Sequence, residues 1–255
     1  MDLNLPLFFM HVPKCAGTAV VTLLTKAFRD DEICPAPPQG TWCWRAREVP
    51  GYRLYWGHFS ADFLEEMGQP GTRLIMLRHH LERVVSLYDY WRSHRWEHIK
   101  SALPPHPYNG PAIAKSGNLS DFLSSDVAFV HEHVYNPAAR QLLGRRFNEL
   151  WPNEDAIIAE GVQALRGFAW VGITESFEPS IALLSRMLGS PVPKSTAKVN
   201  SLEARRRDDP VFEPIEQTEP TKEQCRRIAE GNRIDSAIYD EGRNILNERL
   251  GSSNR

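Results

Sequence analysis

Residues 5–12 (LPLFFMHV) form a nearly unbroken apolar run. A run without polar alternation fits a strand buried on both faces, the kind found in parallel sheets. A break, PKCAGT (13–18), follows, and residues 19–28 then place Val20, Leu23, Leu24 and Ala27 at helical spacing. Residues 30–50 carry Pro35, Pro37, Pro38 and Gly40 and read as irregular. A short strand is expected at 53–56, ending at Gly57-His58, and a helix at 61–67. Residues 72–77 (TRLIML) form a second buried strand closed by Arg78. Leu81, Val84, Val85, Tyr88 and Trp91 share one helical face, which predicts a helix over 80–94.

Residues 101–117, rich in Pro, Gly and His, read as a long loop of the kind that is often functional. Weaker helical patterns cover 119–124, 136–143 and 155–165. FAWVGI (168–173) is a third buried strand. Phe177, Ile181, Leu184 and Leu188 mark the next helix. Residues 190–217 are polar, with a basic middle and proline punctuation. Thr221 with Gln224 forms a capping box for a terminal helix carrying Ile234, Ile238 and Ile245. Strands alternating with helices predict an α/β protein: a three-layer, P-loop-like fold with a central, mostly parallel sheet flanked by helices. The expected organisation is one domain over 1–255. Its nucleotide-binding core lies at 1–96 and 168–190, acceptor-side segments at 30–56 and 97–165, and a C-terminal helix at 220–250.

Composition narrows the partners. With 42% hydrophobic and 24% charged residues, the 255-residue chain has the balance of a globular protein. A formal net charge of −2 gives no global basic field for nucleic acid, so an anion site must be local. No apolar segment reaches the length of a membrane span or a signal-peptide core, so a cytoplasmic location is expected. Cys15, Cys34, Cys43 and Cys225 lack C-x-x-C spacing, and no metal is expected. Cys34 and Cys43 read as two reduced thiols, or as a pair in an oxidising compartment.

PKCAGT lies between a buried strand and a helix N-terminus, where first-turn N–H groups and the helix dipole attract anions. Gly17 permits close backbone approach, Thr18 offers a hydroxyl and Lys14 a full charge. The Walker pattern G-x-x-x-x-G-K-[ST] is absent, which counts against an ATP-dependent kinase. An ordinary strand–helix turn with a surface lysine fits the loop equally well. Arg78, at a strand end, and Ser86, two helical turns on, can converge on one phosphate. Taken alone, Arg78 paired with Glu82 is the plainer reading.

The two segments together resemble the sulfotransferases that use 3′-phosphoadenosine 5′-phosphosulfate (PAPS). The likeness is greatest to the branch of heparan sulfate 2-O-sulfotransferase and bacterial carbohydrate sulfotransferases. HVPKCAGT is similar to that family's 5′-phosphosulfate loop. LRHHLERVVSLYDYWR is similar to its 3′-phosphate motif, of the form R-D-P-x-E-R-x-x-S-x-Y, and WGHF to the segment carrying its catalytic histidine. The resemblance is sharp over 7–96 and extends to WVGITESF (170–177) and the terminal helix. It departs at His79-His80, where Asp-Pro is usual.

The resemblance implies that Lys14, Cys15, Ala16, Gly17 and Thr18 hold the 5′-phosphosulfate and that Arg78 and Ser86 hold the 3′-phosphate. Lys198 and Asn200 would close over the nucleotide. PAPS would be the co-substrate, PAP the product, and a hydroxyl-bearing acceptor, expected to be a glycan, the partner. Lys14 would stabilise the leaving phosphate oxygen and His58 act as general base, with His11, His79, His80 and Glu82 as rivals. Asn136 and Arg140 match an Asn…Arg pair and are placed near the acceptor with His58. Arg92, His94, Arg95, Arg140, Arg145 and Arg146 would form a basic rim suited to an acidic glycan, or are solvated helix positions. Trp42, Trp44, Tyr52 and Tyr55 would stack on the acceptor or belong to the core. The alternatives are a nucleotide or small-molecule kinase and a non-catalytic module that binds a phosphorylated ligand.

Overall fold

A computed structural model describes residues 4–36, 45–102, 109–189 and 209–252. Four strands form one all-parallel sheet: β1 (Leu7–Met10), β2 (Leu54–Gly57), β3 (Thr72–Leu77) and β4 (Trp170–Ile173), in the order β2-β1-β3-β4. Every residue of β1 and β4 is buried. Since successive side chains point to opposite faces, both faces of the sheet must be covered. Helices cover them, giving the α/β class expected from the apolar runs. Leu7, Phe9, Leu54, Leu74 and Trp170 are fully buried in the central core. Each such side chain contributes about 1.5–3 kcal/mol, most of it offset by lost conformational entropy.

The helices are α1 (Gly17–Thr25), α2 (Ala61–Met67), α3 (His80–Arg92), α4 (Trp96–Ala102), α5 (Gly110–Ser116), α6 (Leu119–Leu123), α7 (Ala128–Val134), α8 (Pro137–Leu143), α9 (Arg145–Leu150), α10 (Glu154–Arg166), α11 (Phe177–Leu188), α12 (Lys222–Gly231) and α13 (Arg233–Ser252). Two expectations need correction. The stretch 101–117 is not one loop, because the end of α4 and all of α5 fall in it. The Asn109 side chain accepts from the Ala112 N–H and Pro111 sits in the first turn of α5, which start that helix. The terminal helix is two helices, broken at Asn232 between α12 and α13. The Thr221–Gln224 capping box does open α12.

The sheet order fixes where chemistry can sit. The chain runs outward from β1 to β2, then crosses back to β3 on the other side of β1. The reversal opens a crevice at the carboxyl ends of β1 and β3, the usual ligand position in open parallel sheets. The segment 11–18 follows β1, His58 follows β2, Arg78 follows β3 and Glu175 follows β4.

Candidate active site

Between β1 and α1 the backbone is left-handed at two non-glycine residues, Lys14 (φ 67°) and Ala16 (φ 55°). Each costs about 1–2 kcal/mol, and such strain gathers where the backbone has a task beyond folding. The turns leave the N–H groups of Ala16, Gly17 and Thr18 donating to no described residue. No side chain caps α1. Consecutive free amides at a helix N-terminus make an anion-binding concavity. The Cys15 N–H bonds the Val12 carbonyl, and its thiol is buried, which pushes its pKa up to about 12. Cys15 therefore contributes backbone shape and no thiolate.

Gly17 is required for a reason not visible in the sequence. A Cβ there would lie 2.0 Å from Cδ2 of His11, whose ring covers the glycine. Gly17→Ala is expected to destabilise the fold by about 1–3 kcal/mol through overpacking, read as a lower denaturation midpoint. An unchanged midpoint would show that the ring moves aside freely.

Arg78 joins this loop. Its Nη1 donates to the Lys14 carbonyl at 3.2 Å, so the guanidinium meets the backbone of the loop. The alternative Arg78–Glu82 pair does not form; Glu82 lies 2.7 Å from Nδ1 of His79. A carboxylate only accepts, so Nδ1 carries the proton, and the 3.4 Å approach of the Leu81 N–H to the same atom is not a hydrogen bond. The turn that differs from Asp-Pro is held by Glu175, which accepts from the His79 N–H (3.0 Å) and the Tyr239 hydroxyl (3.0 Å). His80 is buried, and burial pulls its pKa down to about 4. Ser86 is also buried, and its hydroxyl bonds no described residue.

Two charged residues, Arg83 on α3 and Asp235, escaped the sequence reading. Arg83, only 1% exposed, donates to the carbonyls of His133 (2.8 Å) and Val134 (2.7 Å). Burial lowers its pKa, partly offset by the nearby Asp235 carboxylate. Asp235, on α13, accepts from the N–H groups of Ala138 (3.1 Å) and Ala139 (2.9 Å) and so closes the N-terminus of α8.

His58 stands just past β2, its ring centroid 4.5 Å from that of His11. Its Nδ1 lies 2.6 Å from the His11 carbonyl oxygen. A carbonyl only accepts, so Nδ1 bears hydrogen and Nε2 carries a lone pair in the neutral ring. Burial lowers the His58 pKa, with the His11 carbonyl pulling the other way. His11 is forced well below the usual value by burial and by its neighbours His58 and Lys14. One imidazole thus supports the other from behind.

His58 opens into a cleft of about 540 Å³ whose lining includes Pro13, Phe129, His133, Arg140, Gln141 and Phe147. No protein-family model matches this chain, and no curated protein does. The case for the site accordingly rests on its geometry. His133 and Gln141 were not singled out by the sequence. Nδ1 of His133 donates to the Phe129 carbonyl (2.7 Å), and burial lowers its pKa to about 4. Gln141 Nε2 bridges the carbonyls of Phe59 (3.0 Å) and His11 (3.4 Å).

Arg140 lines the cleft, lies over the Phe147 ring at 4.3 Å and donates through Nε to the Tyr135 carbonyl. Asn136 does not line it. Its side chain bonds the Gly231 carbonyl and the Asp235 N–H, which joins α8 to the start of α13. This is a structural task and not contact with an acceptor. The basic rim is largely used within the fold. Arg92 pairs with Asp89, and Arg95 donates to the Phe212 carbonyl. Arg145 pairs with Glu65, and Arg146 with Glu149 and Glu160. Tyr55 is core, while Trp42, Cys43, Trp44, Lys198 and Asn200 lie outside the described residues. Cys34 is buried. Among the described residues no cluster of three His, Cys, Asp or Glu could hold a metal ion, and no helix is long and apolar enough to cross a membrane.

Proposed function

We propose that this chain is a cytoplasmic sulfotransferase that moves a sulfuryl group from PAPS to a hydroxyl of a neutral acceptor, with a glycan as the leading class. The observation that supports the reading is the contact between Arg78 and the Lys14 carbonyl, which brings the Arg78 guanidinium to the loop that bears the three amides. Such a grouping suits a nucleotide with phosphates at two positions. The amides of Ala16, Gly17 and Thr18, with the Thr18 hydroxyl and Lys14, take the 5′-phosphosulfate; Arg78 and Ser86 take the 3′-phosphate.

In the transfer, the acceptor oxygen bonds sulfur as the bond from sulfur to the phosphate oxygen breaks. The acceptor proton passes to Nε2 of His58. Lys14 and the amides neutralise the charge left on the phosphate of PAP, so this chemistry needs no metal. The cleft beside His58 favours an uncharged acceptor. Its charged lining among the described residues is Asp62 and Glu132 against Arg140 and Arg145, which balance. Phe129 and Phe147 offer apolar faces for a ring. This replaces the acidic glycan that the run of arginines suggested.

A thermal-shift comparison tests the proposal. PAP without divalent metal is expected to stabilise the protein, by about 2.7 kcal/mol at a hundred times its Kd. Stabilisation by ATP with Mg²⁺ and not by PAP would favour a kinase. Arg78→Ala is expected to weaken PAP binding by at least about tenfold, the value of one charged hydrogen-bonded contact, while 5′-AMP binding changes little. Equal losses for both nucleotides in calorimetry would remove Arg78 from the 3′-phosphate.

A further inference from the structure

Lys14 is gripped at both ends. Its carbonyl accepts from Arg78, and its Nζ lies 3.9 Å from the centroid of the Tyr90 ring. An ammonium within about 6 Å of an aromatic face is attracted by the ring quadrupole. Tyr90 is one helical turn after Ser86 on α3, so ring and hydroxyl share a helix face.

The ring is braced. His94 packs edge-on to it at 5.0 Å and Phe212 lies at 5.6 Å. Phe212 belongs to a segment tied along the end of α3. The Arg95 N–H donates to Val211 (2.9 Å), the Glu213 N–H to Ser93 (2.8 Å), and the Thr218 hydroxyl to Asp89 (2.7 Å). Lys115 adds an ion pair to Glu213. Tyr88, which occupies the tyrosine position of the 3′-phosphate motif, is committed elsewhere and donates to the Gly117 carbonyl at 2.9 Å.

We propose that Tyr90 is the positioning residue for the Lys14 ammonium group, setting it over the phosphosulfate loop before the leaving oxygen develops charge. This rests on the sulfotransferase reading of the same loop. A lysine side chain has four rotatable bonds, and a rigid aromatic seat removes much of that freedom ahead of the reaction. Tyr90 touches no reacting atom and acts through Lys14.

Two variants of the full chain, Tyr90→Leu and Tyr90→Phe, test this with PAPS and a neutral oligosaccharide. Tyr90→Leu is expected to lower kcat by about two- to thirty-fold, the range of a cation–π contact, with KM for PAPS changed less. Tyr90→Phe keeps the ring face and should keep kcat. In carbon-labelled lysine spectra of the wild type, the Lys14 ε-methylene protons, identified by their loss in Lys14→Ala, should be shifted upfield by the ring. The shift should vanish in Tyr90→Leu and persist in Tyr90→Phe. An unshifted wild-type resonance, an unchanged kcat in Tyr90→Leu, or equal impairment in both variants overturns the assignment. If Tyr90→Leu does not fold, the wild-type resonance and Tyr90→Phe decide it. A wild type that neither binds PAP nor turns over defeats the sulfotransferase reading instead, and the spectra still report whether Tyr90 seats Lys14.

Discussion

His58→Ala is expected to lower kcat by about 10²- to 10⁴-fold, the usual worth of a positioned general base, while PAP still binds. The two effects should separate because His58 follows β2 and is not among the groups assigned to the nucleotide, while Nε2 carries the lone pair of its neutral ring. Steady-state kinetics with calorimetry on one preparation would check both. Joint loss of turnover and PAP affinity would make His58 part of the nucleotide pocket.

The pH profile gives a second reading of the same residue. A general base works in its neutral form, and burial lowers the His58 pKa. The acid limb of kcat/KM should therefore fall below the ordinary histidine value of about 6.5: activity is lost as pH drops through the lowered pKa and is full above it. His11 and His133 face His58, and Lys14 acts on His11; positive charge on any of these would push in the same direction. A limb above that value would be inconsistent with a buried His58 as the base.

Asp235→Ala is expected to be the most destabilising substitution considered, at about 3–5 kcal/mol, the cost of breaking a buried charged arrangement. The carboxylate closes the first turn of α8 through two N–H groups and acts on the buried Arg83. Its removal strands both donors and leaves a guanidinium without its nearest compensating charge. Asp235→Asn should cost less, since one amide oxygen still accepts. Denaturant titration is the measurement, and a loss under about 1 kcal/mol would mean that water replaces the carboxylate.

The fold was legible where a single physical demand dominates the residues. Strands buried on both faces are largely apolar, so LFFM, WVGI and the LIML of TRLIML stand out, and the bounds of α2 and β3 match expectation. The short helices are different. AFVHEHV of α7 has β-branched and histidine residues and no side-chain cap, so packing alone selects helix there. Asn109 with Pro111 did announce α5, but the surrounding prolines and glycines masked it. At the site, sequence order brought Lys14, Arg78 and His58 into view because each ends or follows a strand. Arg83, Asp235 and Tyr90 were not legible. Their roles depend on partners about 50 to 150 residues away, and no local spacing encodes such a meeting. Asn136 shows the converse, a pattern match whose side chain proves to be fully engaged elsewhere.

Arg83 also has a mechanical side. It grows from the helix that follows Arg78, yet its two bonded nitrogens end on the carbonyls of His133, which lines the cleft, and of Val134 next to it. Sliding that helix against the cleft wall would break two hydrogen bonds, one of them fully buried. The helix that carries Ser86 and the segment that carries His133 are therefore tied together at Arg83, and on the proposed reading a shift of one would be passed to the other.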